Sequence, residues 1–411
     1  MDDTTDQPRP RARINSVDLL RGIVMMVMLL DHTREFVHHG ALVSDPSNLS
    51  DTTTLLFFTR WVTHFCAPAF VFLSGVSIYL QKMNGKSNAI LSRFLWTRGL
   101  WLIFLEFTVV RFLIVFNLDY SFFGMAQVIW VIGVSMIVMS AMIYLPAWVS
   151  AAVGLSMIAL HNLLDPLSLP PNIAFASAPP PDQAQAVWII LHQPGIVPIF
   201  DGASRIFFAY PLIPWIGVMM AGYAAGSVFR KDRPTRQMLL FAVGAAAIVL
   251  FAALRATNLY GDPQPWSEQP AGAVFTFLSF LNTAKYPPSL LFLLMTLGPS
   301  LLVLAAADGL EGRSAWQRVV ITFGRVPLFF YVLQWAWAHL AGLTLNAMAG
   351  VDVSYLFKGI LEMGASAPPD HGFSIWTVYA CWLVGLAVIY PFCVWWDGLK
   401  RRRAHWTLSY L

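Results

Sequence analysis

The segment from Asn15 to His39, NSVDLLRGIVMMVMLLDHTREFVHH, decides how the rest of the chain is interpreted. Its centre is apolar enough to cross a membrane, yet charged side chains lie towards both ends. On an α-helix, Arg21 and His32 fall within about 20° of one face and about 16 Å apart along the axis. The same face, which we call the polar seam, also carries Asp18, Met25, Met28, Glu35 and His39. Ionisable groups inside a membrane are costly, so this pattern predicts a functional site within a helix bundle.

The composition of the whole chain is typical of a polytopic membrane protein. Of its 411 residues, 57% are hydrophobic and only 12% are charged, whereas soluble domains carry about 25% charged residues. Apolar runs of spanning length recur at roughly 16–38, 55–80, 91–116, 123–144, 147–164, 208–229, 236–256, 286–307, 319–345 and 374–397. We therefore predict an all-α membrane protein of about ten transmembrane helices, with residues 1–411 forming a single transmembrane domain.

The distribution of charge predicts how the chain is oriented. Loops on the same side as the N terminus hold most lysines and arginines, and the opposite loops hold most acidic residues. Because basic loops stay in the cytoplasm, both termini are predicted to be cytoplasmic, with 1–14 and 398–411 as tails. The dispersed basic residues give no sign of a nucleic-acid partner. The cysteines all lie in predicted spans, so neither a disulfide framework nor a thiolate metal site is expected: Cys66, Cys381 and Cys393.

His32 is the leading catalytic candidate. A neutral imidazole can take a proton from a hydroxyl or amine that attacks a thioester. Asp31 or Glu35 could orient this ring, although Asp31 points about 100° away on an ideal helix. The alternative is a histidine that only packs helices together. The helical register that His32 shares with Asp18 and Arg21 favours the catalytic interpretation.

Two arginines are candidates for binding an anion at the cytoplasmic end. Arg21 can hold a phosphate with two parallel hydrogen bonds, because its guanidinium group is planar. Asp18 lies three residues earlier and can neutralise Arg21, and the two roles are compatible. Arg325 lies in the cytoplasmic half of the ninth predicted span and could bind an anionic ligand there.

Further polar residues lie in the other spans. His64 and Arg60 occupy neighbouring turns of the second span, where His64 could act in catalysis or simply pack. Glu106 and Arg111 in the third span are five residues apart and could pair with groups of other spans, but mutual charge balance within the bundle is the favoured interpretation. Lys285 could extend to the membrane interface. Alternatively, it could contact an acceptor, together with Glu35 of the first span, as part of a polar group at the outer end of the eighth span: Asn282, Lys285 and Tyr286.

Several stretches resemble a family of membrane acyltransferases. RINSVDLLRGIVMMVMLLDH is similar to the entry of the family that includes heparan-α-glucosaminide N-acetyltransferase and many bacterial relatives. The arginine followed by ten residues and a histidine, Arg21 to His32, also resembles the hallmark of acyltransferase type 3 enzymes. The resemblance to the bacterial branch is nearly full-length, and it continues in THFCAPAFVFLSGVSIYL, YPLIPWIGVMMAGYAAG, LNTAKYPPSLLFLLMTLGP and FGRVPLFFYVL.

This resemblance implies a transmembrane acyltransferase fold in a bacterial inner membrane. It implies that acetyl-CoA or another acyl-CoA enters from the cytoplasm as co-substrate, without a metal. The acyl group would pass to an amino or hydroxyl group of an extracytoplasmic sugar or glycan. Arg21, Asp18 and Arg325 would hold the CoA moiety. His32 would act as general base, with a covalent acyl-histidine as the less favoured alternative. In the lysosomal member the catalytic histidine lies further along, so His39 or His38 could share that role.

A second class of function fits the same polar seam. In a transporter or channel for a small anion or sugar, the inward charges would line a permeation path. Transporters often carry inverted repeats and broken helices, and no repeat is visible in this sequence, which favours the enzyme. A structural membrane subunit is a weaker alternative. A homodimer is left open.

Overall fold

Long helices make up most of the structure, a computed structural model that describes residues 14–175, 180–310, 312–403 and 410. The α-helices, in chain order, are α1 (Asn15–Val37), α2 (Thr54–Thr63), α3 (Cys66–Met83), α4 (Asn88–Leu105), α5 (Arg111–Val115), α6 (Val128–Met142), α7 (Ala147–Leu160), α8 (Pro171–Ala174), α9 (Gln183–Leu191), α10 (Leu212–Ala225), α11 (Arg233–Thr257), α12 (Ala273–Leu281), α13 (Leu290–Ala307), α14 (Ala315–Arg325), α15 (Pro327–Met348), α16 (Ile360–Ser366) and α17 (Ile375–Arg402). A π-helical segment, Glu106–Val110, joins α4 to α5, and 3-10 segments occur at His161–Leu167, Gly226–Arg230 and Ser354–Phe357.

Helices of spanning length confirm an all-α polytopic membrane protein. Within the described residues, seven segments are long and apolar enough to cross a membrane: Thr54–Met83, Ala147–Leu167, Leu212–Arg230, Arg233–Thr257, Leu290–Ala307, Pro327–Met348 and Ile375–Arg402. The remaining predicted spans, 16–38, 91–116 and 123–144, correspond to the charge-rich α1, to α4 with α5, and to the shorter α6.

Prolines divide two of the predicted spans. The span predicted at 55–80 is interrupted between α2 and α3, where Pro68 has no N–H to donate to the carbonyl of His64. The prediction of one continuous helix at 319–345 was wrong. The segment is divided into α14 and α15 at Val326, whose backbone (φ −127°, ψ 48°) is non-helical before Pro327.

A small sheet replaces the first residues of two predicted spans. Strands β1 (Phe122–Ala126), β2 (Gly195–Ile199) and β3 (Ser204–Phe208) are arranged in the order β1-β3-β2. β1 pairs with β3 in parallel, and β2 pairs with β3 in antiparallel register. The helices predicted to start at 123 and 208 therefore start later, at Val128 and Leu212.

Helix α1 lies in the middle of the bundle, beside α14 and α15. Gly324 permits the close approach, because a Cβ there would overlap the carbonyl oxygen of Asp18. Farther along, His32 stacks on Trp335 (ring centroids 3.7 Å apart) and Phe36 stacks on His339 (4.8 Å). Both contacts advance by four residues on each helix, so α1 and α15 run in parallel with a constant register. This register places the polar seam of α1 against one face of α15.

Candidate active site

A cavity of about 510 Å³ lies between α1, α3, α4, α6 and α15. Its walls are largely apolar and include Leu102, Ile129 and Ile132. Basic side chains from four helices and from the loop after α3 also line it: Arg21, Lys86, Arg98, Arg325 and Lys400. A concentration of cations in a cavity with apolar walls favours binding of an elongated anion with an apolar portion.

Asp18 lies between the two arginines that the sequence proposed as anion ligands. The guanidinium of Arg21 donates to Asp18 Oδ1 (3.2 Å), to Ser77 Oγ (2.8 Å) and to the carbonyl oxygen of Gly324 (3.2 Å). The Nε of Arg325 lies 3.9 Å from Asp18 Oδ2, and its Nη1 lies 3.7 Å from Asp397 Oδ2. Asp18 thus bonds to the guanidinium group of Arg21, lies near that of Arg325, and also lines a second cavity.

A second cavity, of about 700 Å³, adjoins the first. Both cavities are lined by Arg21, Ser77 and Gln81. The second is also lined by basic residues at the start of α11 and just before it: Arg230, Lys231 and Arg236. The two cavities therefore converge at Arg21, which makes this arginine the central cation of the region.

His32 lies just beyond the inner end of the first cavity. Met28 and Tyr331 line that cavity, and His32 follows Met28 by one helical turn. Its Nδ1 lies 3.0 Å from Glu35 Oε2, and its side chain is 12% exposed. When Nδ1 carries the proton, it donates to Glu35 and leaves the lone pair of Nε2 available as a base.

Asp31 does not orient His32, contrary to one of the two options left open by the sequence. One carboxylate oxygen of Asp31 accepts from Arg34 (3.1 Å) and the other accepts from Arg60 (2.6 Å). All three side chains are buried. Such a group holds helices together, because removing one partner would leave an uncompensated buried charge. Asp31 is therefore an anchor between α1 and α2, and Glu35 alone bonds to the imidazole.

The structure brings Lys285 to this group. The ammonium of Lys285 interacts electrostatically with the Asp31 carboxylate and with His64. It also lies 5.2 Å from the ring centroid of Tyr286. His64 is buried, with its ring centroid 5.4 Å from that of Phe292 and its Nδ1 without a hydrogen-bond partner in the described residues.

The remaining candidates predicted at the outer end are Asn282, His38 and His39. The side-chain amide of Asn282 donates to the carbonyl oxygen of Ser47 (2.9 Å), so it holds the loop after α1. His39 is exposed and stacks on His38, with ring centroids 5.0 Å apart. Burial and the neighbouring His39 lower the pKa of His38 to about 4. Within the described residues, neither His38 nor His39 forms a hydrogen bond with Glu35 or His32.

Glu106 and Arg111 bind different partners, so the expected mutual charge balance was wrong. Glu106 Oε2 accepts from the backbone N–H of Trp130 (2.9 Å), in the first turn of α6. A carboxylate there interacts favourably with the positive end of the helix dipole. Arg111 instead donates to Asn117 Oδ1 (2.9 Å) and to the carbonyl oxygen of Phe122 (3.3 Å).

Sequence reasoning missed several residues that line the first cavity. Lys86 and Lys400 served only as orientation signals, and Tyr331 received no role. Trp335 does not line the cavity but stacks on His32, and it also received no role. Arg98 lies within a predicted span, and its charge alone could have identified it. The positions of Lys86, Lys400, Tyr331 and Trp335 near the site depend on how α3, α15 and α17 pack against α1.

Comparison with known protein families identifies the family of the chain. The family described as "Heparan-alpha-glucosaminide N-acetyltransferase, catalytic" matches residues 13–260, which include Arg21, His32 and Glu35. No curated protein matches the chain. The match covers more than half of the sequence and contains both ends of the polar seam.

Proposed function

Because the chain belongs to the heparan-alpha-glucosaminide N-acetyltransferase catalytic family, we propose that it moves an acetyl group across a bacterial inner membrane. Acetyl-CoA on the cytoplasmic side is the donor. An amino or hydroxyl group of an extracytoplasmic sugar or glycan is the acceptor. The observation that supports this proposal is the closeness of the two features: Met28 lines the cation-lined cavity, and His32, which pairs with Glu35, follows it by one turn of α1.

The first cavity suits the donor. The phosphate groups of CoA match the cations around Arg21, since guanidinium groups bind phosphate with two parallel hydrogen bonds. The extended pantetheine arm matches the apolar walls. Arg21 and His32 are separated by eleven residues, or about 16 Å along α1. That length is comparable to the pantetheine arm, so phosphates at Arg21 leave the thioester close to His32.

The Glu35–His32 pair supports general-base catalysis. Nε2 of His32 takes the proton of the acceptor as its nitrogen or oxygen attacks the thioester carbonyl carbon. Glu35 holds the ring in the required tautomer and stabilises the imidazolium that forms. The C–S bond then breaks, and His32 returns the proton to the departing CoA thiolate. Protons and electrons balance without any further reactant.

The acceptor would approach from the opposite side of the membrane. The side chain of Glu35 is 34% exposed, and Lys285 and Tyr286 lie in the short segment between α12 and α13. We place both termini in the cytoplasm, as the basic loops indicate. The residues of the long outer loops would then select the acceptor.

A transfer assay tests the proposed function. Purified protein is incubated with labelled acetyl-CoA and a panel of amino sugars and glycosides, and the acetylated product is measured. We expect transfer by the wild type and loss of transfer in His32→Ala, with CoA still bound. His39→Ala is the matched control and retains activity. Full activity in His32→Ala would refute the role of this histidine, and absence of both CoA binding and transfer in the wild type would refute the function.

A further inference from the structure

Gln334 is a buried polar residue in the interior of α15. Its side chain is completely buried, and neither Nε2 nor Oε1 has a hydrogen-bond partner in the described residues. Burial of an amide without partners is unfavourable, and a leucine of similar size would avoid that cost. Asn346, a buried amide on the same helix, donates to Gly342 O (2.8 Å) and accepts from Gly372 N–H (2.8 Å). The unbonded state of Gln334 is thus not a general property of amides in α15.

The position of Gln334 relates it to the candidate active site. Tyr331 lines the first cavity and lies one helical turn before Gln334, about 4.5 Å along the axis. The next residue, Trp335, stacks on the imidazole of His32. Residues 331, 334 and 335 share one face of α15, because they are three and four positions apart. Gln334 therefore lies between the level of the cavity's inner end and the level of the imidazole.

The parallel register of α1 and α15 supports this placement. His32 faces Trp335 and Phe36 faces His339, so Met28 is level with Tyr331, four residues earlier on each helix. Both residues line the cavity. An acyl group delivered from the cavity to His32 must pass this level. The hydroxyl of Tyr331, the amide of Gln334 and the indole N–H of Trp335 are buried there without hydrogen-bond partners in the described residues, and the amide is the group of these three in which separate donor and acceptor atoms are both unused.

We propose that the side-chain N–H of Gln334 donates a hydrogen bond to the thioester carbonyl oxygen of the acyl donor. This inference rests on the proposed function. As the acceptor's nitrogen or oxygen bonds to the carbonyl carbon, the π electron pair moves onto that oxygen, and Gln334 stabilises the negative charge. The pair returns when the C–S bond breaks and the thiolate leaves. A donor held in place within a low-dielectric site is effective because it needs no reorganisation during the reaction.

Substitution of Gln334 separates this role from a structural one. In Gln334→Leu we expect kcat to fall about 100- to 1000-fold, as on removal of a single oxyanion donor. The KM for acetyl-CoA and the thermal unfolding temperature should not fall, because the leucine removes only unbonded polar atoms. The matched control Asn346→Leu removes a bonded amide and should lower the unfolding temperature. Wild-type kcat in Gln334→Leu, or a loss of activity accompanied by unfolding, would overturn the inference.

A measurement without turnover tests the same hydrogen bond. Acetyl-CoA labelled with ¹³C at the thioester carbonyl is bound to the full-length protein, and its C=O stretching band is recorded by infrared difference spectroscopy. We expect a lower frequency in the wild type than in Gln334→Leu. Equal frequencies overturn the role of Gln334 and leave the acetyltransferase function standing. Failure of the wild type to bind acetyl-CoA would instead overturn both proposals.

Discussion

Replacing Glu35 by Gln tests whether the hydrogen bond to His32 sets the tautomer of the proposed base. The amide nitrogen of the new side chain can donate to Nδ1, and this favours the tautomer in which Nε2 carries the proton and cannot accept one. The substitution also removes the negative charge that stabilises the imidazolium. The overall volume of the residue and its reach to His32 are preserved.

The geometry sets the size of the effect. A hydrogen bond to a charged group contributes about 1.5–3 kcal/mol, and each 1.36 kcal/mol corresponds to tenfold in rate. The Nδ1–Oε2 separation of 3.0 Å is ordinary for such a bond, but the Glu35 side chain is 34% exposed. Solvent screening places the effect towards the lower end of that range. We therefore expect kcat for acetyl transfer to fall about 10- to 30-fold.

The assay compares initial rates of labelled acetyl transfer at saturating acetyl-CoA. The KM for acetyl-CoA should change little, because Glu35 does not line the cavity proposed to hold the donor. Glu268→Gln, the same change at an exposed position, serves as the control and keeps wild-type rates. A Glu35→Gln enzyme with wild-type kcat would refute the pairing of Glu35 with a catalytic His32.

Three further predictions concern the rest of the site. Arg21→Ala should weaken CoA binding about tenfold or more, since it removes charged hydrogen-bond donors; calorimetry should detect this change, whereas the exposed control Arg93→Ala should bind normally. Asp31→Asn leaves two buried guanidinium groups without their shared counterion, and it should cost about 3–5 kcal/mol of stability; an unchanged thermal unfolding temperature would contradict the anchoring role. Because the pKa of His38 falls from 6.5 to about 4 on folding, the unfolded chain binds this proton first, so stability should decline as the pH drops through that interval. Unfolding temperatures measured across this range should decline less steeply in His38→Gln.

Local signals in the sequence predicted much of the helical fold and the polar seam. The spacing of Arg21 and His32 depends only on helix geometry, so it could be calculated without knowing any neighbour. The break before Pro327 had a local cause as well, although it was overlooked. By contrast, β1 and β3 are separated by more than 70 residues, and their pairing has no local signature. Strand pairing of this kind depends on the tertiary arrangement that brings the segments together.

The division of roles between Asp31 and Glu35 was only partly predictable. Spacing favoured Glu35, because residues three apart on a helix are neighbours and adjacent residues are not. The engagement of Asp31 by Arg60 depends on the packing of α2 against α1, which no periodicity reveals. For the same reason, the sequence favoured a pairing of Glu106 with Arg111, although the actual partner of Glu106 is a backbone N–H at the start of α6.

The central position of α1 has a consequence for how the protein is made. Arg21 donates to the carbonyl oxygen of Gly324, a residue 303 positions later. At about 5–20 residues per second, the ribosome needs roughly 15–60 s to synthesise that interval. During this time the first helix has no access to α14 or α15, and Arg21 can bond to its early partners Asp18 and Ser77 but not yet to Gly324. Trp335, which stacks on His32, is also translated late, so the site at His32 is completed only near the end of synthesis, and nascent chains that stop before Trp335 lack a complete centre.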